Sequence, residues 1–316
     1  MLTGQLLTLN MFVSALETDM SRPFMLSLLL ASTIVATSPV AIAQSEKRIT
    51  IVYDAFGPPS NTLKMDWGFA AFVEYGGRRI LFDTGNNAKT FAHNIKELGI
   101  DLKRLDAVII SHRHGDHTSG LNHLLEVNPT VTIYAPQEGA YFKGKTPLVF
   151  LKREPGLPPS MSYYHGREPE TFVTGSPWQD ANFQIVMETN EIFPGFFVLT
   201  TKSDKTGSRD MNELSLAIRT PEGLAVVVGC SHPGVEKILE AAAKIDANLY
   251  TVTGGFHLVV TPPDEVRRVA SMLSDTLKLK RIAPGHCTGE LGFKVLIEQF
   301  KDRFDQVGLG QTINIP

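Results

Sequence analysis

Three imidazoles and a carboxylate fall within six positions of the string Ser111-His112-Arg113-His114-Gly115-Asp116-His117. Burying such groups without partners is costly, so they do not read as core. Neutral imidazole nitrogens beside a carboxylate oxygen suit zinc or a similar borderline divalent ion. His112 and His114 are two apart and point to the same side of an extended chain. Asp116 and His117 follow, just ahead of a helix expected to begin at Thr118 or Ser119. A bound divalent ion lowers the pKa of a coordinated water towards neutrality, so hydrolysis there needs no side-chain nucleophile.

Ligand side chains need rigid elements behind them. The apolar run at residues 107–110, directly before the string, is long enough only for a buried strand. Upstream, strands are expected over 49–53, 69–75 and 79–82, the last two joined across Gly76-Gly77 as a hairpin, and a helix over 88–98. Downstream come a helix at 119–126, a strand at 131–135 and a helix at 137–142. The second half repeats the scheme, with strands at 183–187, 195–200, 214–219, 224–228, 247–251 and 281–283 and helices at 235–244, 263–277 and 293–304. Hairpin-linked strands with helices between them in each half predict two packed sheets with helices outside. Residues 144–180 break the pattern: six prolines from Pro147 to Pro177 predict a long irregular loop, either a cover for a site or a surface excursion without contact to substrate.

The chain has 316 residues, 43% hydrophobic and 20% charged, a soluble globular profile that excludes disordered, collagen-like and coiled-coil classes. A formal charge of −3 provides no basic field for a phosphate backbone, so nucleic acid is not an expected partner; a small-molecule substrate is. Two cysteines allow at most one disulfide, so the core must come from apolar packing. From Met20 the chain reads as a secretory leader: Arg22, an apolar run over 24–36, then Ala41-Ile42-Ala43 as the cleavage site. Residues 1–43 are therefore expected to be removed, with 1–19, which carry Glu17 and Asp19, an extension ahead of the true start. The expected mature chain, 44–316, is periplasmic or secreted, with no stable membrane association because no second apolar run could span a bilayer.

His-x-His-x-Asp-His after an apolar strand resembles the signature of the metallo-β-lactamase superfamily, and other landmarks follow in order. Leu81-Phe82-Asp83-Thr84-Gly85 is similar to the upstream strand whose Asp supports the metal site, and Pro284-Gly285-His286 to the C-terminal His motif. The resemblance implies an α+β fold, a single-domain αββα four-layer sandwich, with two divalent ions at one edge of the paired sheets. Zinc is the expected metal, with Mn2+ or Fe2+ as alternatives. By the same pattern His112 and His114 would hold one ion, and Asp116, His117 and His286 the second. Asp83 would fix a ligand imidazole by hydrogen bonding; alternatively it only forms the turn before Thr84-Gly85.

The sequence departs from the commonest pattern downstream. No His precedes the second-half hairpin, and Cys230 stands where a bridging Asp would be, in Gly229-Cys230-Ser231-His232-Pro233-Gly234. That string, with Gly254-Gly255-Phe256-His257-Leu258 and Pro284-Gly285-His286-Cys287-Thr288-Gly289, is similar to one branch, the proteins resembling dihydropterin-ribofuranosylaminobenzene-phosphate synthase. On this resemblance His232 replaces the missing His. Cys230 either ligates as a thiolate or is a small buried residue ending a strand, and in an oxidising compartment it could instead pair with Cys287. His257, after two glycines that let backbone approach closely, is a candidate for substrate contact or proton transfer; Asp116 is the other candidate catalytic group. His93, His123 and His165 lie outside the motifs and read as structural or exposed, with His165 a weak lid candidate.

The resemblance implies an exported dinuclear hydrolase of small esters, lactones or phosphoesters. His114, where diiron flavoprotein members usually place Glu, favours hydrolysis over oxygen reduction, and the span from Cys230 to His286 leaves no room for the domain that nuclease members insert. A pterin-type transferase, a β-lactamase and a non-catalytic metal-binding protein are the alternatives.

Overall fold

The computed structural model describes residues 46–138, 141–143, 154–167 and 176–316. The expected leader, and residues 144–153 and 168–175 of the expected loop, lie outside the described residues. Residues 44–316 form one compact unit.

Among the described residues, thirteen strands build two sheets. The first, seven-stranded, has the order β13-β1-β2-β3-β4-β5-β6: β13 (Thr312–Asn314), β1 (Arg48–Tyr53), β2 (Ala70–Tyr75), β3 (Arg78–Phe82), β4 (Ala107–Ile109), β5 (Ile133–Pro136) and β6 (Phe183–Val186). The second, six-stranded, runs β12 (Ala283–Gly285), β11 (Leu249–Gly255), β10 (Gly223–Val228), β9 (Asn212–Thr220), β8 (Phe196–Lys202) and β7 (Asn190–Phe193). Period-two alternation sorts each strand's side chains onto its two faces. Ile80 and Phe82 of β3 face Leu214, Leu216 and Ile218 of β9 and Ala225 and Val227 of β10 in a core between the sheets. Leu81, with Val52, Phe72 and Val108, packs instead on Phe91 and Ile95 of α1 (Ala88–Glu97) and Leu121 and Leu124 of α3 (Leu121–Val127), which follows the one-turn α2 (Gly115–Thr118). On the far side Val226 and Val228 pack against α4 (Val235–Ala243), α5 (Pro263–Ser271) and α6 (Glu290–Phe300). The result is an αββα sandwich, as the resemblance implies.

Several boundaries differ from expectation. The described part of 137–142 does not form the expected helix: Gln137, Glu138 and residues 141–143 lie outside regular structure, and 139–140 lie outside the described residues. There the Glu138 carboxylate accepts from the Asn212 backbone N–H at 2.7 Å and pairs with Arg113, which ties the segment to β9 instead. β11 runs on through Gly254-Gly255, beyond the end expected at 251, and β12 lies two residues later than expected. A Cβ on Gly254 would stand 1.9 Å from the Val228 carbonyl oxygen, so this parallel pairing requires glycine. α5 leads into a π turn, Met272–Thr276, and α6 starts and ends earlier than its pattern suggested. β7 and β13, both short strands at sheet edges, were not predicted. Within the expected irregular loop, 154–167 carry only short 3-10 turns, whereas Trp178 returns to the core and donates to Asn122 at 2.7 Å. Among the described residues no helix is long and apolar enough to cross a membrane.

Candidate metal centre

Strand direction gathers the site. β1, β3 and β4 run the same way, and Asp54, Asp83 and the string from Ser111 to His117 follow their C-terminal ends. β10, β11 and β12 are mutually parallel, and Cys230, His257 and His286 follow theirs. Ligands collect at the carboxyl ends of parallel strands because the chain there leaves the sheet and is free to aim side chains. A backbone bond from Leu214 N to the Ser111 carbonyl at 2.8 Å joins the two sheets at this edge.

The string is held by Asp83, fully buried after β3. Its Oδ1 accepts the Ser111 N–H at 2.7 Å, and its Oδ2 lies 2.7 Å from both the Ser111 hydroxyl and His117 Nδ1. Since the Ser111 hydroxyl donates to Asp83, it can only accept from His112 Nδ1, 2.9 Å away. Both imidazoles are thereby fixed in the tautomer that carries its proton on Nδ1, and each turns an Nε2 lone pair into the site.

Those lone pairs meet other donors. His114 Nδ1 lies 3.0 Å from His112 Nε2 and 3.2 Å from His232 Nε2. On the other side Asp116 Oδ2 is 3.8 Å from His117 Nε2 and 3.4 Å from His286 Nε2. Cys230 Sγ, 3.2 Å from His117 Nε2, belongs to both sets, one with Asp116, His117 and His286 and the other with His112 and His232, each with its donor atoms within 4.8 Å of one another. Cys230 thus stands at the junction of the two sets, while His114, expected beside His112, is in neither of them. Cys230, His257 and Cys287 form a third close set. Both cysteines are free and buried, so the Cys230–Cys287 disulfide weighed from the sequence is not formed. The remaining histidines stand apart: His93 Nε2 is 2.6 Å from the Thr62 carbonyl, His123 lies by Glu126 and Phe91, and His165 is exposed.

The electrostatics suit cations. Burial, then the neighbouring imidazoles, push His112 down well below the usual histidine range, and push His232 down to about 3. His114 is lowered chiefly by burial. Burial opposes charge on Asp116, but the neighbouring imidazoles of His286 and His117 outweigh it and hold the carboxyl below its ordinary range. Burial raises the Cys230 thiol, with Cys287 adding to the shift. Both ring nitrogens of His286 and Nδ1 of His257 are buried without a hydrogen-bond partner. Buried polar atoms are nearly always satisfied, so orphaned nitrogens beside unprotonated imidazoles, a carboxylate and a thiol are the donor set that divalent cations complete. The residues fit the metals the family binds.

Two residues essential to this arrangement were missed in sequence. Glu213, fully buried at the start of β9, accepts the Ser231 and His232 N–H groups, one on each oxygen, at 2.7 and 2.8 Å. Asp54, after β1, takes the His286 N–H on both oxygens at 3.2 and 3.1 Å. Burial lifts Glu213 to about 8 and Asp54 to about 7, while those N–H groups pull each back. Thus each of the three ligand loops hangs from a buried carboxylate. Ser231 at φ 61°, His257 at 49°, His286 at 46° and Asp83 at 58° occupy the left-handed region, which costs roughly 1–3 kcal/mol per residue. The only sequence signal was an acid flanking an apolar strand, Asp54 just after one and Glu213 just before one. Trp67 was also missed; its Nε1 donates to Asp116 Oδ2 at 3.1 Å and its ring lies 5.0 Å from that of His286.

Comparison with known proteins bears on the family and the fold. A family model described as the metallo-β-lactamase superfamily matches residues 68–201. The 7,8-dihydropterin-6-methyl-4-(β-D-ribofuranosyl)-aminobenzene-5'-phosphate synthase of Methanocaldococcus jannaschii is 30% identical over 271 residues, 78% of this chain and 88% of its own. Among solved structures, Tm1679, described as a metal-dependent hydrolase of the β-lactamase superfamily, superposes with a TM-score of 0.64 at 24% identity, covering 85% of this chain and 99% of that one. The Bacillus subtilis metallo-β-lactamase-fold protein YhfI gives 0.53 at 12% identity, with 85% and 99% covered. The chain belongs to the metallo-β-lactamase superfamily, on the branch similar to that pterin synthase.

Proposed function

We propose that the protein is an exported hydrolase that uses two divalent cations, zinc in the first place, to cleave a small ester, lactone or phosphoester. The observation that carries this reading is the convergence of two donor sets on one thiol, Cys230, at the open edge of the sandwich. His112, His114 and His232 would hold one ion and Asp116, His117 and His286 the other, with Cys230 between them. When bound, such a pair supplies Lewis acidity and lowers the pKa of water held there. The chain's own residues do the rest. Asp83 and Ser111 set the imidazole tautomers, Glu213 and Asp54 hold the loops of His232 and His286, and Trp67 orients the Asp116 carboxylate. His257, its ring 4.3 Å from that of His232 and its Nδ1 unpartnered, is the group placed to hold or move a proton at the leaving atom. Export rests on the leader sequence.

A transferase of the pterin-synthase type is the second reading, favoured by the 30% identity across 88% of that relative. Elemental analysis of the purified protein, followed by a panel of chromogenic esters, lactones and phosphodiesters, tests both. About two zinc-type ions per chain with turnover of one hydrolytic class supports the hydrolase. Full metal with no hydrolysis, and condensation of a dihydropterin with an aminobenzene riboside phosphate, would replace it by the transferase.

A further inference from the structure

Beside the centre, on the His286 side, lies an open cleft of about 640 Å³, within the range of small-molecule sites. Its walls come from three directions. Phe56 and Trp67 belong to the segment between β1 and β2, Phe293 and Ile297 to α6, and Val259 to the turn after β11. Phe56 and Phe293 meet edge to face with centroids 5.0 Å apart. Gly289 makes the cleft's floor: it has φ 77°, and a Cβ there would stand 2.7 Å from the Val259 Cα, so glycine lets the Val259 turn close onto the start of α6. Trp67, Val259 and Ile297 are about half exposed, at 47%, 50% and 50%, which leaves apolar carbon facing solvent immediately next to a polar centre.

The charge lining is as informative as the carbon. Among the described residues that line the cleft there is no Lys or Arg, and besides His286 the one ionisable group is Glu290. Glu290 stands in the first turn of α6, where it already answers the positive end of the helix. An anion in the cleft would thus meet a carboxylate and apolar walls with no cationic side chain to pair with. From this we infer that the cleft is the binding site for an uncharged, apolar acyl or aryl portion of the substrate, with the scissile group directed at His286 and Asp116. This deepens the hydrolase reading and rests on it for the direction of the scissile group: it selects carboxylic esters and lactones with a ring or medium chain over substrates whose phosphate would occupy this side.

Calorimetric titration of the full chain, both metal-loaded and chelator-treated, with 2-naphthamide and with 2-naphthalenesulfonate measures the site without turnover. In the chelator-treated form, where only side chains line the cleft, the amide is expected to bind at one site at least roughly tenfold more tightly than the sulfonate; the metal-loaded form should bind the amide equally well. Ile297→Asp, at an exposed helix position, should weaken the amide by about tenfold with metal content unchanged, and Glu290→Gln should bring the two ligands to within about threefold of each other. No binding of the amide, sulfonate binding as tight as amide binding in the chelator-treated form, or an Ile297→Asp variant with unaltered affinity each overturns the assignment. The hydrolase reading fails separately: saturable amide binding with no ester turnover removes the hydrolase and keeps the cleft. Ester turnover indifferent to acyl and aryl size removes the cleft and keeps the hydrolase.

Discussion

Asp83 orients two imidazoles through one carboxylate, and its substitution separates geometry from charge. In Asp83→Asn an amide N–H2 must face either the Ser111 N–H or the Ser111 hydroxyl together with His117 Nδ1, all of which donate to the native carboxylate. Loss of such supporting groups typically costs 10–100-fold in metal affinity. Competition with a chromophoric chelator should show a loss of that size, and an unchanged affinity would sink the tautomer argument. Glu213→Gln leaves a donor opposite one of two backbone N–H groups, so it should destabilise the protein by about 1–3 kcal/mol and weaken metal retention together. Equilibrium denaturation and elemental analysis of the same sample check both. His112→Ala should abolish metal and activity at once, and stoichiometric metal in that variant would refute the ligand assignment.

At the scale of elements, the ends of β3, β4, β10, β11 and β12 aim the ligands, so the packing behind them sets how well the site is held. Leu216, on β9 and fully buried between the sheets, should cost about 2–5 kcal/mol when cut to Ala, read as a lower urea midpoint with unchanged slope. Gly254→Ala drives a Cβ into the Val228 carbonyl at a φ of 120°, so it should separate β10 from β11 and cost more than about 2 kcal/mol. Near-native stability of that variant would mean that β11 tolerates a shift of its register. Strands with clear alternation or continuous apolar runs, such as β3 and β10, were legible from the sequence to within a residue or two. β7 and β13 were not, because a three- or four-residue edge strand has too few side chains to show a period and owes its form to its neighbour's hydrogen bonds. The expected helix at 137–142 failed because the Asn212 N–H and the Arg113 guanidinium both claim Glu138, a tertiary demand that overrides local preference.

For the whole molecule, the two sheets are joined at the site edge by ligands contributed from both, so filling the site and folding are linked. Cations that bind the folded chain and not the unfolded one stabilise by RT ln(1 + [M]/Kd), about 4 kcal/mol at a thousandfold excess. Chelation should therefore lower the thermal midpoint by several degrees, restored on adding zinc, as followed by circular dichroism. A midpoint indifferent to chelation would mean that the donors are held without metal.

By itself the sequence determined the donor types, their order along the chain, the buried strands that precede them and the sandwich architecture, because ligand chemistry and hydrophobic period are both local properties. It left open the role of Cys230, and it concealed the carboxylates that hold the loops and the cleft beside His286. Those depend on contacts between remote segments. Asp54 grips the backbone of a residue 232 positions away, and Cys230 meets His117 across 113. Only the closing of one sheet on the other, driven by the apolar layer between them, decides which groups at the strand ends face each other.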